Sequence, residues 1–90
     1  MEFSIDEKTQ RFLLHLPNGE FAYINYRRTG DHFDLPYSYV PPSQRGKGIG
    51  RELVKRTLDY IDEQNGTAAA QCGYIYTVAK RIDNWKDRIQ

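Results

Sequence analysis

Polar and apolar residues alternate through the first half of the chain and recur at helical spacing in the second, which predicts strands first and helices after. Residues 11–16 and 20–28 read as the arms of a hairpin joined by Pro17-Asn18-Gly19, where proline fixes one φ and Asn-Gly tolerates a positive one. In the second arm Ala22, Ile24 and Tyr26 alternate with Phe21, Tyr23 and Asn25. Both faces therefore carry apolar surface, and at least one needs helices over it. Residues 3–5 suit an added edge strand. A Thr29-Gly30-Asp31 turn leads into a strand over residues 32–40, whose period places Phe33, Leu35, Tyr37 and Tyr39 on one face. Pro36 interrupts that strand; it has no N–H for a ladder, so an edge position, a bulge or a splay is expected there.

From residue 49 to 65 the spacing of Leu53, Val54, Leu58 and Ile61 predicts an amphipathic helix, ended by Asn65-Gly66. Small residues 67–71 suit a buried strand parallel to the one before, reached by a right-handed crossover. A second helix begins at Gly73, with Ile75, Val78, Ala79 and Ile82 on its stripe and Trp85 and Ile89 continuing it. The expected fold is α/β or α+β, a mixed, largely antiparallel sheet flanked by two main helices in the order β-β-β-β-α-β-α. Ninety residues allow one compact domain, residues 1–90.

Composition changes this picture in three places. A mean hydropathy of -0.77 argues against any membrane segment, and no membrane partner is expected. The start Met-Glu-Phe-Ser-Ile-Asp has neither a basic leader nor an apolar run, so a cytoplasmic location is expected, where the one cysteine, Cys72, stays reduced. The net charge of +1 is uneven: Arg45, Lys47, Arg51, Lys55 and Arg56 stand against Glu52 alone between residues 43 and 56. Such a local excess suits a small polyanion, whereas a nucleic-acid reader is more often basic throughout.

That basic stretch surrounds Val40-Pro41-Pro42-Ser43-Gln44-Arg45-Gly46-Lys47-Gly48-Ile49-Gly50, a strand end running through glycines into a helix N-terminus. Glycines at alternate positions let backbone amides turn toward one point, and the helix dipole favours an anion there. The spacing is neither a Walker loop nor the dinucleotide fingerprint. A phosphate cradle and a plain flexible strand–helix connector both remain open on the loop alone. Its Arg-x-x-Gly-x-Gly order, Arg45, Gly48 and Gly50, resembles the pyrophosphate motif of the GNAT superfamily of acetyl-coenzyme A-dependent N-acetyltransferases.

The resemblance extends to a short, single-domain GNAT subfamily. Gly19-Glu20-Phe21-Ala22, Val40-Pro41, Arg45-Gly46-Lys47-Gly48 and Cys72-Gly73-Tyr74-Ile75 follow that subfamily's order and intervals, over roughly residues 12 to 85. It implies a sheet that splays beside Val40-Pro41, with the pantetheine of acetyl-coenzyme A against that strand through the backbone of Val40. Pyrophosphate would lie on Arg45, Gly46, Lys47, Gly48, Ile49 and Gly50, and Cys72 near the thioester. The chain departs from the subfamily in having Tyr37-Ser38 for His-Thr, Ala70 for a proline before the cysteine, and Ile82-Asp83-Asn84 for His-Pro-Glu.

Acetyl transfer to an amine needs a base, dipoles for an oxyanion and an acid for the departing thiolate. Cys72, at a predicted helix start, reads either as a nucleophile or acid–base group or as a small buried hydrophobe. Tyr74 is the candidate proton donor, with Tyr76 behind it; Tyr37 and Tyr39 read as core or cleft wall. His15 and His32 lie in strands away from the loop, Glu20 has no evident partner, and nothing has metal-ligand spacing, so no metal is expected. The expected function is N-acetyl transfer from acetyl-coenzyme A to an unidentified amine, with a non-catalytic coenzyme A-binding or sensing module as the alternative. An anion- or nucleic-acid-binding domain is a third reading. The partners expected are coenzyme A and the acceptor, on a monomer or homodimer. Trp85 reads either as an exposed acceptor surface or as part of a packed tail helix.

Overall fold

The computed structural model describes residues 1–90. Strands β1 (Glu2–Asp6), β2 (Arg11–His15), β3 (Phe21–Thr29) and β4 (His32–Tyr39) are followed by a 3-10 turn (Pro42–Gln44), helix α1 (Ile49–Glu63), strand β5 (Thr67–Ala70) and helix α2 (Gly73–Ala79). The five strands form one sheet in chain order. Neighbours run antiparallel except β4 and β5, which are parallel across the α1 crossover. The β2–β3 turn closes as its sequence requires: the Leu16 N–H donates to the Glu20 carbonyl, and Gly19 takes φ +88°.

Both helices pack on one face of the sheet. Phe12, Leu14, Ile24, Phe33 and Leu35 from the strands share a single core with Leu53, Leu58 and Ile61 of α1 and Ile75 of α2. Each such fully buried side chain contributes about 1.5–3 kcal/mol. The α1–β5 junction is held by close backbone approach: a Cβ on Gly66 would lie 2.7 Å from the Asp31 carbonyl oxygen, which also accepts the Thr67 N–H. No helix covers the other face, where Phe21 and Tyr37 remain 43% and 48% exposed.

The expectation that Tyr37 and Tyr39 share a face with Phe33 and Leu35 is overturned by a β-bulge. Arg27 pairs with Asp34 and Asn25 with Tyr37, so Leu35 and Pro36 together stand opposite Tyr26. One extra residue reverses the alternation. Phe33 and Leu35 enter the core, Tyr37 and Tyr39 turn to the helix-free face beside Tyr23, and Ser38, opposite Ile24, turns inward. Of the three possibilities that Pro36 left open, bulge and splay both occur. The Leu35 carbonyl accepts from both Gln71 and Cys72 N–H groups, after which β5 turns into α2 and β4 continues with β3 alone beside it.

The tail also departs from expectation. α2 stops at Ala79, and successive turns follow, with Ile82 N–H donating to Ala79, Trp85 to Ile82 and Arg88 to Trp85. Asp83 and Asn84 lie between, residues whose side chains compete with helical backbone bonding. The turns bury Trp85 completely and Ile89 to 8%, so Trp85 belongs to the core rather than to an exposed surface. Gln90 then exchanges backbone hydrogen bonds with Ala68 and Ala70 along β5. Arg88 ties the tail to α1 through Asp62 at 2.8 Å and lies over the Trp85 ring.

Trp85→Ala should therefore cost about 3–5 kcal/mol, a large share of a small domain's stability. Trp85→Phe should cost less, because the buried indole N–H has no acceptor to lose. Urea denaturation of the two variants measures the difference.

Candidate functional site

Where β4 outruns β5, a cleft of about 390 Å³ opens against the start of α1. Tyr37, Ser38, Tyr39 and Val40 form one wall; Gln44, Arg45, Gly46, Gly48, Ile49, Gly50 and Leu53 form the floor and second wall, and Tyr74 of α2 closes the end. The loop between is shaped by its prolines and glycines. Pro41 and Pro42 start a tight turn whose carbonyls accept from Gln44 and Arg45. Gly46 and Gly48 both adopt left-handed φ, +79° and +78°, where a side chain would be strained.

The consequence is a run of free amides. The first backbone bond of α1 goes from Glu52 N–H to the Gly48 carbonyl, Gly48 caps the helix without a side-chain bond, and the N–H groups of residues 46–51 have no acceptor in the protein. Alternating left-handed residues and the positive end of α1 give a geometry that can accept a phosphate-like anion. Lys55 pairs with Asp59 and Arg56 with Glu52 along the helix surface, so they serve α1 itself. Arg45, Lys47 and Arg51 have no carboxylate partner. Lys47 does not line the cleft, unlike the other loop residues singled out from the sequence.

Two contacts brace the loop. Arg45 Nε donates to the Val40 carbonyl at 2.9 Å, closing the loop on its own strand. Ser43 Oγ donates to Glu20 Oε1 at 3.0 Å, and Asn18 Nδ2 donates to the same carboxylate. Glu20 thus joins the β2–β3 turn to the cradle. Sequence spacing could not show this partner across 23 residues.

Cys72 stands at the cap position of α2 and does not line the cleft; its Sγ lies 3.4 Å from the Oγ of Ser38, which does. Burial pushes its thiol pKa up. Hydrogen bonds from Ser38 and from the backbone of Ile75 and Tyr74 outweigh that and leave it below the usual 9.0. Ser38 escaped the sequence reading because only the bulge turns it inward. Tyr74 crosses the first turn of α1: a Cβ on Gly50 would meet its hydroxyl at 2.7 Å, so Gly50 is glycine to admit this ring as well as to expose its amide. Tyr76 lies outside the cleft near Lys80. His15 bonds to Ser4, and His32 to Thr67 and Asp34, all away from the cleft. No three His, Cys, Asp or Glu residues cluster closely enough to hold a metal ion.

The sequence profile of the GCN5-related N-acetyl-transferases matches residues 11–88. This chain belongs to that family. It is 31% identical to Protein NATD1 of Bos taurus over 90 residues, covering 94% of this chain and 79% of that protein. The Gallus gallus NATD1 is 35% identical over 78 residues, covering 83% and 70%. The solution structure of a GCN5-like protein from Staphylococcus aureus superposes with a TM-score of 0.72 at 22% identity, over 99% of this chain and 87% of that one. The GNAT-like fold expected from the four sequence matches is therefore the fold present.

A family member with this Cys72–Ser38 contact should show a thiol that titrates below 9.0, read as the midpoint of iodoacetamide alkylation against pH. Ser38→Ala removes a hydrogen bond to the thiolate, so the midpoint should move up. A midpoint that stays in place would mean that Ser38 does not hold the thiolate.

Proposed function

We propose that this protein is an N-acetyltransferase that binds acetyl-coenzyme A in the β4–α1 cleft and passes the acetyl group to an amine. The observation that carries the reading is the coincidence of two unpaired backbone runs on one cavity. The amides of residues 46–51 meet it at the helix N-terminus, and residues 37–39 of β4, with Val40 after them, border it without a partner strand on that side. The first fits a pyrophosphate, the second an extended, amide-bearing arm such as pantetheine. The family's usual co-substrate has both parts.

Bound there, acetyl-coenzyme A supplies an acyl thioester: the amine nitrogen bonds to the acyl carbon, the carbon–sulfur bond breaks with its electron pair on sulfur, and one proton moves from nitrogen to sulfur. The chain's own contributions are local. Gly46, Gly48 and Gly50 hold amides toward the pyrophosphate, with Arg45, Lys47 and Ile49 beside them, and Val40 presents backbone to the pantetheine. Tyr74, whose hydroxyl lies over the start of α1, would hand a proton to the departing sulfur. Cys72 lies behind the cleft wall, its Sγ 3.4 Å from the Ser38 Oγ, and would act on the thioester only through that hydroxyl. A reducing, cytoplasmic setting would keep this thiol free. The cleft walls hold no histidine or carboxylate, an observation that favours one second reading, a coenzyme A-binding module without turnover.

Calorimetric titration with acetyl-coenzyme A tests the binding. The wild type should bind saturably and Gly48→Glu should not, since its carboxylate would enter the cradle. Gly48→Ala separates charge from backbone strain, because a Cβ there meets nothing within 4 Å, and should retain weakened binding. Absence of binding in the wild type sinks the proposal. Tyr74→Phe should bind as the wild type does yet release coenzyme A at least about 10²-fold more slowly with any amine that is turned over. Binding with no release from any amine would favour the sensing module.

A further inference from the structure

A second cavity, of about 210 Å³, lies where β1 and β3 end and β2 and β4 begin, beneath Tyr60 of α1, and it shares no residue with the cleft. Its apolar part is aromatic. The Phe12 ring centre lies 4.7 Å from that of Tyr26, 6.1 Å from Phe33 and 5.7 Å from Tyr60. Tyr26 is only 8% exposed, yet its hydroxyl has no hydrogen-bond partner in the protein. A phenol so buried usually finds one. This hydroxyl opens on the cavity, unlike the indole N–H of Trp85, which is sealed in the core.

Two opposite charges flank it. Glu7 and Arg28 both line the cavity, and no ion pair joins them. Burial pushes the Tyr26 pKa above its ordinary value; Glu7 and Tyr60 push the same way and Arg28 opposes them, so both charges are felt at this hydroxyl. The turn that carries Glu7 is fixed, because the Asp6 carboxylate accepts from the Lys8 and Thr9 N–H groups and the Gln10 carbonyl accepts from the Tyr26 N–H. Glu7 itself has no partner. Arg28 is anchored through Nε, which donates to the Gly30 carbonyl at 2.8 Å, and its guanidinium lies 4.8 Å over the Phe33 ring. Its Nη2 is 3.7 Å from Asp31, a largely exposed carboxylate, and its Nη1 has no partner.

One ligand that satisfies all of these groups carries a cation, an anion and an apolar body in a small volume. We infer that this cavity binds a free α-amino acid with an apolar side chain. The ammonium donates to the Glu7 carboxylate and the Tyr26 hydroxyl, Arg28 donates to the carboxylate, and the side chain lies against Phe12 and Phe33. Both charged contacts match a donor to an acceptor of opposite sign. No step of acetyl transfer runs through this site, so its occupancy stands apart from that of the cleft.

Three probes of one carbon skeleton test this: L-leucine, isopentylamine, which lacks the carboxylate, and 4-methylpentanoate, which lacks the ammonium. L-Leucine added to the 15N-labelled protein should shift the amide signals of Glu7, Arg28 and Tyr60 and saturate. Each truncated probe should bind at least about tenfold more weakly, the measure of one charge-assisted hydrogen bond. Glu7→Gln should erase the preference for L-leucine over 4-methylpentanoate, and Arg28→Gln the preference over isopentylamine; both side chains are exposed, so the fold tolerates either change. Absence of shifts at those three amides, shifts confined to residues 37–50, or equal binding of either truncated probe to the wild type overturns the inference. These readouts are the same whether or not acetyl-coenzyme A binds in the calorimeter, so failure here leaves the acetyltransferase reading untouched.

Discussion

The hydrogen bonds at the Leu35 carbonyl govern the rest of the molecule. That single acceptor takes two successive N–H groups, from Gln71 and Cys72, just as the chain of β5 leaves the sheet. The next residue of β4, Pro36, has no N–H to offer, and it stands with Leu35 in the bulge opposite Tyr26. The two parallel strands therefore cannot stay in register past this point. Their separation opens the cleft, leaves residues 36–40 with one free edge, and sets Ser38 against Cys72. An unpaired strand edge inside a core would cost about 1–3 kcal/mol per buried polar group. Facing a cavity, it costs little and is available to a ligand.

A chain of this size has few ways to hold such a cleft open. The core is a single cluster beneath one face of the sheet, and the tail residues Trp85 and Ile89 complete it. The tail backbone also pairs with β5 through Gln90, which steadies the short strand from which α2 departs. On the opposite side of the cleft the cradle is fixed from outside, by Glu20 on Ser43, and from inside, by Arg45 on the Val40 carbonyl. Two of the sequence matches to the GNAT subfamily, Gly19-Glu20-Phe21-Ala22 and Val40-Pro41, thereby gain a common physical reason: they are the two ends of the brace that presents the amides of residues 46–51.

The placement of both helices on one face has a further result. The opposite face keeps Phe21, Tyr23, Tyr37 and Tyr39 in contact with one another and partly in water. In a larger fold such a row would be covered. Here it borders the cleft through Tyr37 and Tyr39, whose residues also wall the cavity.

What the sequence by itself determined was local. The Pro17-Asn18-Gly19 turn, the alternation in β2 and β3, the apolar stripe of α1 and the alternating glycines at Gly46 and Gly48 each depend on residues within a few positions of one another, and each took the expected form. The loop's run of free amides was legible too, because a helix N-terminus after left-handed glycines needs no distant partner. Tertiary structure decided whatever depended on phase or on long-range pairing. A one-residue bulge reversed the faces of Tyr37 and Tyr39, since strand alternation keeps its sense only while the ladder keeps its register. The contacts of Ser38 with Cys72, of Glu20 with Ser43 and of Tyr74 with Gly50 join residues more than twenty positions apart. The tail left its helical period because burying Trp85 and pairing Gln90 with β5 required turns there, and no periodicity within the tail carries that instruction.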